Sequence, residues 1–192
     1  MGQQYTALND KLTDFISAQK IFFVGTAAHS GSVNVSPKGM GSLRVLGPNR
    51  VLWLNVTGSG NETAAHLLDT PRMTLMFCAF EGNPMILRLY GEARAIHPGE
   101  PEWSALFSHF EPIPGSRQIF DMRVDRVQTS CGMAVPFFDY REERDQLRDW
   151  SIKKGEEVIR QYWKDKRQKL SLIFHPRKSF KTMVKHWLQP YA

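Results

Sequence analysis

The sequence predicts a mainly β fold with flanking helices, in which about six antiparallel strands curl into a barrel. The 192-residue chain is 42% hydrophobic, so one domain with a substantial core is expected. Its apolar segments between residues 21 and 128 have strand length, and most are joined by short turns, which favours antiparallel pairing. An antiparallel sheet of this size avoids a long exposed edge by curling on itself.

Each predicted element is marked by the spacing of its apolar residues. Helices show apolar side chains three or four positions apart, and strands show short β-favouring runs bounded by Gly, Pro, Asn or Asp. In chain order, the predicted elements are a helix over 5–19, strands over 21–28, 33–38 and 51–56, a helix over 62–68, strands over 72–80 and 85–96 (with a bulge or bend at Gly91), a helix over 102–110, a strand over 118–128 and a helix over 140–169.

The strand over 33–38 has a polar face formed by Asn34, Ser36 and Lys38. Proline cannot donate a ladder hydrogen bond, so Pro37 places this strand at a sheet edge or an opening. The glycine-rich residues that follow are expected to form a loose connection to the strand at 51.

The segment 51–68, VLWLNVTGSGNETAAHLL, reads as a buried strand, a glycine-rich turn and a helix with Asn61 as its N-cap. A helix that begins on such a turn presents free backbone N–H groups and the positive end of its dipole, which suits a phosphate. An ordinary strand-to-helix turn uses the same residue types and remains the alternative. The turn matches neither a Walker loop nor the dinucleotide fingerprint.

The chain is expected to divide into a barrel domain, residues 1–140, and a basic helical extension, residues 141–192. The extension holds 14 of the 25 Lys and Arg residues but 7 of the 19 acidic ones, and its long helix is expected to break at Gly155. A solvated helix face explains this charge better than a nucleic-acid or anionic-lipid site. A further helix is suggested over 179–188.

Several classes of protein are disfavoured. No segment approaches the ~20 apolar residues of a membrane span, and the N-terminus lacks a signal pattern. The two cysteines, Cys78 and Cys131, are far apart in sequence, which fits a reducing, cytoplasmic setting, and Cys78 is expected in the core. No His, Cys, Asp or Glu residues have metal-site spacing, so no metal is expected.

The order of five motifs is more specific than any one of them. The motifs are VNVSPKG, VLWLNVTGSGNETAAHLL, RMTLMFCAF, ILRLYGEARAI and VDRVQTSCG. Together they closely resemble the pyridoxamine 5′-phosphate oxidase-like flavoproteins, the FMN-binding split-barrel family, over residues 8–135. The resemblance implies a homodimer of six-stranded split barrels with two FMN sites at the interface, each lined by both subunits. The extension 141–192 would pack on the barrel or on the partner subunit.

The resemblance also implies which residues contact the flavin. In the family, a strand ending in lysine runs beside the flavin ring and phosphate, and the next strand and turn hold the flavin edge and the phosphate. A Gln-Ser pair near the end of the last strand completes the site. The matching positions are Ser36, Pro37 and Lys38; Leu54, Asn55, Ser59, Gly60 and Asn61; and Gln128 and Ser130. Four residues close to these in sequence are also expected to contact the cofactor: Gly39, Thr57, Thr63 and Cys131.

This chain departs from the vitamin-forming oxidases of the family at three places. Gly60-Asn61 replaces their Arg-Lys pair, Val33 replaces an arginine, and their C-terminal Arg-x-His substrate motif has no clear match. Fewer charge-assisted phosphate contacts follow, so backbone amides, Ser59, Thr63 and Lys38 would have to suffice. These departures argue against oxidation of pyridoxamine phosphate itself.

Competing interpretations remain for individual side chains. Lys38 either contacts the cofactor or is solvated, and Cys131 lines the pocket or is structural rather than catalytic, because no activating base is visible. His66 and His29 are expected to be packing, surface or turn residues. Three tryptophans of the extension either cap a flavin or a substrate or simply pack on the barrel: Trp150, Trp163 and Trp187.

The resulting expectation is an FMN-dependent oxidoreductase with no obligate catalytic residue. Its substrate is left open among a small reducible compound, a nicotinamide cofactor and another electron carrier. The alternative is a non-catalytic module of the same fold that holds flavin, deazaflavin or haem.

Overall fold

The computed structural model describes residues 2–58 and 60–174, with side chains described as far as residue 166. The predicted class, mainly antiparallel β with helices, is confirmed. In chain order, the elements in this part are β1 (Gln4–Tyr5), α1 (Asp10–Ala18), β2 (Phe22–Thr26), β3 (Asn34–Lys38), β4 (Leu43–Gly47), β5 (Arg50–Val56), α2 (Glu62–Asp69), β6 (Arg72–Cys78), β7 (Ile86–Ile96), α3 (Trp103–Phe107), β8 (Ser116–Ser130) and α4 (Gln146–Phe174).

The strands form one sheet with the order β3-β2-β6-β7-β8-β5-β4, and β1 pairs with β8. Strands β3 and β4 are consecutive in the chain but lie at opposite ends of this order. Only residues 39–42 connect them, so the end of β3 and the start of β4 lie within about 18 Å of each other. The sheet therefore curls into a barrel that stays open between β3 and β4.

The expected number of six strands is wrong, because β1 and β4 add two. Strand β1 is only two residues long, and it pairs with β8 where the sequence predicted the start of the first helix. That helix begins at Asp10 instead, capped by the Asn9 side chain, which accepts from the Leu12 N–H at 3.0 Å. Strand β4 lies inside the glycine-rich connection and pairs with β5 as a hairpin.

Two other expectations about the backbone are confirmed. The β7–β8 register shifts between Tyr90 and Gly91, where a Cβ on Gly91 would overlap the Arg123 carbonyl oxygen. Helix α4 is interrupted at Gly155, whose φ of 74° and ψ of 161° lie outside the helical region. The helix suggested over 179–188 lies outside the described residues.

Strand β5 is buried on both faces. Val51 and Trp53 point into the barrel, where Trp53 stacks on Phe120 with ring centroids 4.7 Å apart. Leu52 and Leu54 point outward into a second core with α3 and the segment that follows it. The continuous apolar run of β5, unlike the alternating pattern of a half-exposed strand, follows from this two-sided burial. The turn that follows β5 is thus held on a rigid strand.

Candidate functional site

A cleft of about 440 Å³ lies at the opening of the barrel. Its walls are β3, the β3–β4 turn, the end of β5, the turn before α2, and Leu147 of α4. Ten of the residues predicted as cofactor contacts line it: Ser36, Pro37, Lys38, Gly39, Leu54, Asn55, Thr57, Gly60, Asn61 and Thr63. Ser59, an eleventh prediction, lies outside the described residues. Segments that are separate in sequence thus meet at one opening.

Strand β3 presents its polar face to the cleft, as its alternation indicates. Asn34, Ser36 and Lys38 are half-buried, whereas Val35 is 63% exposed on the opposite face. The strand lies at one end of the sheet order, which is where the sequence placed Pro37. The Asn34 amide donates to the Thr63 hydroxyl at 3.2 Å and so ties β3 to the first turn of α2.

Lys38 is a partly buried cation in this cleft. Its Nζ lies 5.2 Å from the centroid of the Trp53 ring, a distance at which a cation is attracted to the aromatic face. Burial lowers the pKa of Lys38 below its usual 10.5, and the nearby Glu62 carboxylate partly offsets that effect. Lys38 and Glu62, which both line the cleft, therefore interact electrostatically.

The turn before α2 is fixed by Asn61, but not in the expected way. Asn61 occupies the N-cap position, as expected, but its side chain makes no capping hydrogen bond. Instead its Oδ1 accepts from the Gln118 amide at 2.7 Å, and both side chains are buried. This pair fastens the turn to β8. The Asn61 side chain leaves the first amides of α2 uncapped.

Glu62, the first residue of α2, was not singled out as a contact but lines the cleft. Its carboxylate is folded back against Gly60, so closely that a Cβ at Gly60 would overlap both carboxylate oxygens. The sequence shows an acidic residue in the first turn, which normally stabilises the positive end of a helix dipole. It does not show the direction of the side chain.

Helix α4 docks directly behind the turn through Trp163. The Thr57 hydroxyl donates to the Gly115 carbonyl at 2.8 Å and accepts from the Trp163 indole N–H at 2.9 Å. Arg117, 3% exposed, lies 5.6 Å from the Trp163 ring and contacts the Gly60 carbonyl at 3.5 Å. The Thr57 hydroxyl therefore donates its proton to another part of the same protein and not to a ligand in the cleft.

The three tryptophans of the extension have different positions. Trp163 is buried against the barrel, and half-buried Trp150 packs on Tyr162 with centroids 5.6 Å apart. Packing is thus the observed role of these two, while Trp187 lies outside the described residues.

The segment between β8 and α4 also reaches the cleft. Glu143 accepts from the backbone N–H of Met40 at 3.3 Å, and Leu147 forms part of the cleft wall. Met40 has a φ of 61°, a conformation that is uncommon for a residue with a side chain. No local sequence pattern indicates this contact, because it joins positions more than 100 residues apart.

Three residues predicted to contact the cofactor lie outside the cleft. Gln128 accepts from the Tyr90 hydroxyl at 3.3 Å, and the Ser130 hydroxyl accepts from Arg88 at 3.0 Å. Cys131 is exposed just beyond β8. None of the three lines the cleft formed by the described residues of the same chain.

Other residues singled out in the sequence have structural positions. Cys78 is buried as expected, and burial raises the pKa of its thiol, an effect that Arg88 partly offsets. His66 is buried with its Nδ1 3.1 Å from the Thr26 hydroxyl, which packs α2 on β2. His29 lies 3.1 Å from Asp69 at the surface.

A second depression, of about 430 Å³, lies over the outer face of β5, β7 and β8. Arg50 pairs with Asp121 at 2.9 Å, Arg94 approaches the same carboxylate at 3.7 Å, and Arg123 pairs with Glu92 at 3.1 Å. Each of these arginines thus faces a carboxylate, which makes this groove a weaker candidate for an anion than the cleft.

The described residues contain neither a candidate metal site nor a candidate membrane-spanning helix. No group of three or more His, Cys, Asp or Glu residues there is arranged to hold a metal ion. No helix there is both long and apolar enough to cross a membrane.

Comparison with known proteins defines the family. Residues 8–131 match the family profile described as pyridoxamine 5′-phosphate oxidase. The pyridoxamine 5′-phosphate oxidase family protein ustO of Aspergillus flavus is 37% identical over 140 residues, which cover 70% of this chain. The matched region spans 56% of that relative, so the relative is considerably longer than the shared part.

Solved structures share the fold at low sequence identity. HupZ of Group A Streptococcus superposes with a TM-score of 0.50 at 19% identity, covering 62% of this chain and 91% of HupZ. LDB0262 of Lactobacillus delbrueckii, named after pyridoxamine 5′-phosphate oxidase, superposes with a TM-score of 0.51 at 16% identity, covering 64% and 94%. The profile match and the identity to the fungal relative show that this chain belongs to the pyridoxamine 5′-phosphate oxidase family.

Proposed function

We propose that this chain is an FMN-binding flavoprotein that acts as an oxidoreductase on a small substrate. The observation that carries the proposal is the convergence of β3, the end of β5 and the α2 turn on one cleft. Its volume of about 440 Å³ lies within the range of ~300–1,000 Å³ typical of small-molecule sites. Membership of the family is the reason to expect that the bound molecule is a flavin.

The proposed phosphate site is the turn at the start of α2. Amides at a helix N-terminus and a cation opposite them suit an anion, and Lys38 is the cation that lines this cleft among the described residues. Gly60-Asn61 brings no basic side chain to the turn. The phosphate would therefore be held by backbone amides, the Thr63 hydroxyl, Lys38 and, as the sequence suggests, Ser59.

We place the isoalloxazine ring toward β3 and the end of β5, beside Ser36, Leu54 and Asn55. A bound flavin supplies hydride transfer at its N5 atom. Partly buried Lys38 would stabilise negative charge on the ring or the phosphate. Apolar side chains that line the cleft, such as Val56 and Leu147, would help to exclude water. Pyridoxamine phosphate is not the proposed substrate, because the basic residues and the substrate motif of the vitamin-forming oxidases are missing.

A second copy of the chain would complete the site. Gln128, Ser130 and Cys131 lie away from the cleft of their own chain, although the family resemblance assigns the first two to a flavin site and the sequence places Cys131 beside them. A homodimer that brings this end of β8 to the partner's cleft reconciles the two observations. The exposed Val35 face of the edge strand β3 would then be covered.

A non-catalytic flavin, deazaflavin or haem carrier is the second candidate. Lys38 and Glu62 are the titratable side chains that line the described part of the cleft, which offers few groups for acid–base catalysis. The enzyme remains the first candidate, because hydride transfer by a flavin requires no protein acid or base.

The absorption spectrum of the purified chain tests the proposal. A yellow protein that releases FMN on denaturation is the expected result. A Soret band, or a colourless protein that binds no added FMN, would reject it. Anaerobic addition of NADH or NADPH then separates the two candidates, because an enzyme with a nicotinamide donor bleaches the flavin. No bleaching with any electron donor would favour the carrier.

A further inference from the structure

The position of the Glu62 carboxylate bears on how the proposed phosphate site is filled. A Cβ built on Gly60 would overlap both carboxylate oxygens, so the side chain lies back over the turn rather than along the helix. Glu62 also lines the cleft and offsets the loss of basicity that burial imposes on Lys38. The carboxylate therefore lies against the turn and within electrostatic reach of Lys38, the two groups that would together receive a phosphate.

Ordinary capping does not explain this position. In a capping box, the reciprocating Glu is the third residue of the helix, whereas Glu62 is the first. The side chain at the N-cap, Asn61, is committed to Gln118. Glu62 does lie in the first turn of the helix, near the positive end of its dipole, and it interacts electrostatically with Lys38.

We propose that Glu62 is an internal anion that competes with the cofactor's phosphate for the start of α2, an inference that rests on the proposed flavin site. A phosphate at the same amides meets like charge at short range until the carboxylate rotates toward solvent. Glutamate at the first helical position has the rotamer freedom to do so. The side chain thus weakens the binding of flavins that carry a phosphate relative to those that do not. Before a flavin binds, it also holds the turn and Lys38 in place.

The test compares FMN with riboflavin, which lacks the phosphate, on the full chain after removal of any bound flavin. Dissociation constants from flavin fluorescence are measured for the wild type, Glu62→Gln and Glu62→Asp. Glu157→Gln is the matched control, because Glu157 is an exposed side chain of α4 and the change removes the same charge. Thermal midpoints establish that each variant is folded.

Glu62→Gln is expected to bind FMN about tenfold more tightly, with riboflavin affinity unchanged, since the repulsion acts on the phosphate alone. Glu62→Asp, whose shorter side chain cannot fold as far over Gly60, should fall between the two. Added salt should reduce the difference between wild type and Glu62→Gln by screening. Glu157→Gln should leave both affinities unchanged.

Two other outcomes are distinguishable. If Glu62→Gln weakens FMN, or shifts FMN and riboflavin equally, Glu62 does not face the phosphate; the inference is overturned while the flavin site stands. If neither flavin binds to the wild type or to any variant, the flavin site itself is rejected, and the inference with it.

Discussion

Trp163 on α4 and Thr57 at the end of β5 are joined by a hydrogen bond of 2.9 Å from the indole N–H to the threonine hydroxyl. The same hydroxyl donates to the Gly115 carbonyl, so three separate segments meet at one oxygen atom. Both side chains are buried. The extension is therefore attached to the strand that leads into the proposed phosphate turn, and not only to the outer surface of the barrel.

Trp163→Phe should lower the free energy of unfolding by about 1 kcal/mol, because it keeps most of the packing but removes one buried hydrogen bond. Urea denaturation measures this change. Trp150→Phe is the control, since half-buried Trp150 packs on Tyr162 and its loss should cost less. An equal change in both variants would mean that the bond to Thr57 contributes nothing.

The parts of the site that the sequence predicts are those set by local pattern. Alternation along β3 placed Ser36 and Lys38 on one face, and Pro37 placed the strand at an edge. The apolar run of β5 followed by glycines located the turn before α2. These features depend on residues that are close together in sequence, so a single amino-acid sequence is enough to predict them.

The rest depends on contacts between distant positions. Asn61 is at the N-cap position that the sequence predicts, but the partner of its side chain, Gln118, lies 57 residues away, and no local pattern indicates that pairing. The Trp163–Thr57 bond spans 106 residues. Strand β4 was missed because glycines flank it and hairpin pairing with β5, rather than its own pattern, makes it a strand.

Lys38→Met should weaken FMN binding by about 1–3 kcal/mol, the range for a hydrogen bond to a charged group. Methionine is similar to lysine in length but uncharged, so loss of the charge that lies over Trp53 dominates the change. Fluorescence titration with FMN measures it, and Lys20→Met, at an exposed lysine near Tyr140, is the control. FMN affinity equal to that of the wild type would remove Lys38 from the site.

Lys38 also predicts a pH dependence of stability in the ligand-free protein. Its pKa is lowered in the folded state, mainly by burial, so between that pKa and 10.5 the unfolded chain binds more protons. Stability contributed by this group therefore rises with pH across that window. The free energy of unfolding of the wild type, relative to Lys38→Met, should increase as pH approaches 10.5. A flat or falling difference would contradict the burial of this amine.

The two cysteines should react differently with a thiol reagent. Cys131 is exposed and should react in the folded protein, whereas Cys78 is 7% exposed and its raised pKa disfavours the thiolate. Ellman's reagent should therefore detect one fast thiol, absent in Cys131→Ser. If a partner's Cys131 lines the cofactor site, FMN should slow this reaction in the wild type. Unchanged reactivity at saturating FMN would place Cys131 outside the site.

Gly60→Val should obstruct the turn before α2, because even a Cβ at this position overlaps the Glu62 carboxylate. FMN affinity is expected to fall by about tenfold or more, since the branched side chain covers the amides that would face the phosphate. Gly47→Val is the matched control, because no heavy atom lies within 4 Å of a Cβ built there. Equilibrium dialysis with FMN measures both variants. Unaltered binding by Gly60→Val would move the phosphate away from the start of α2.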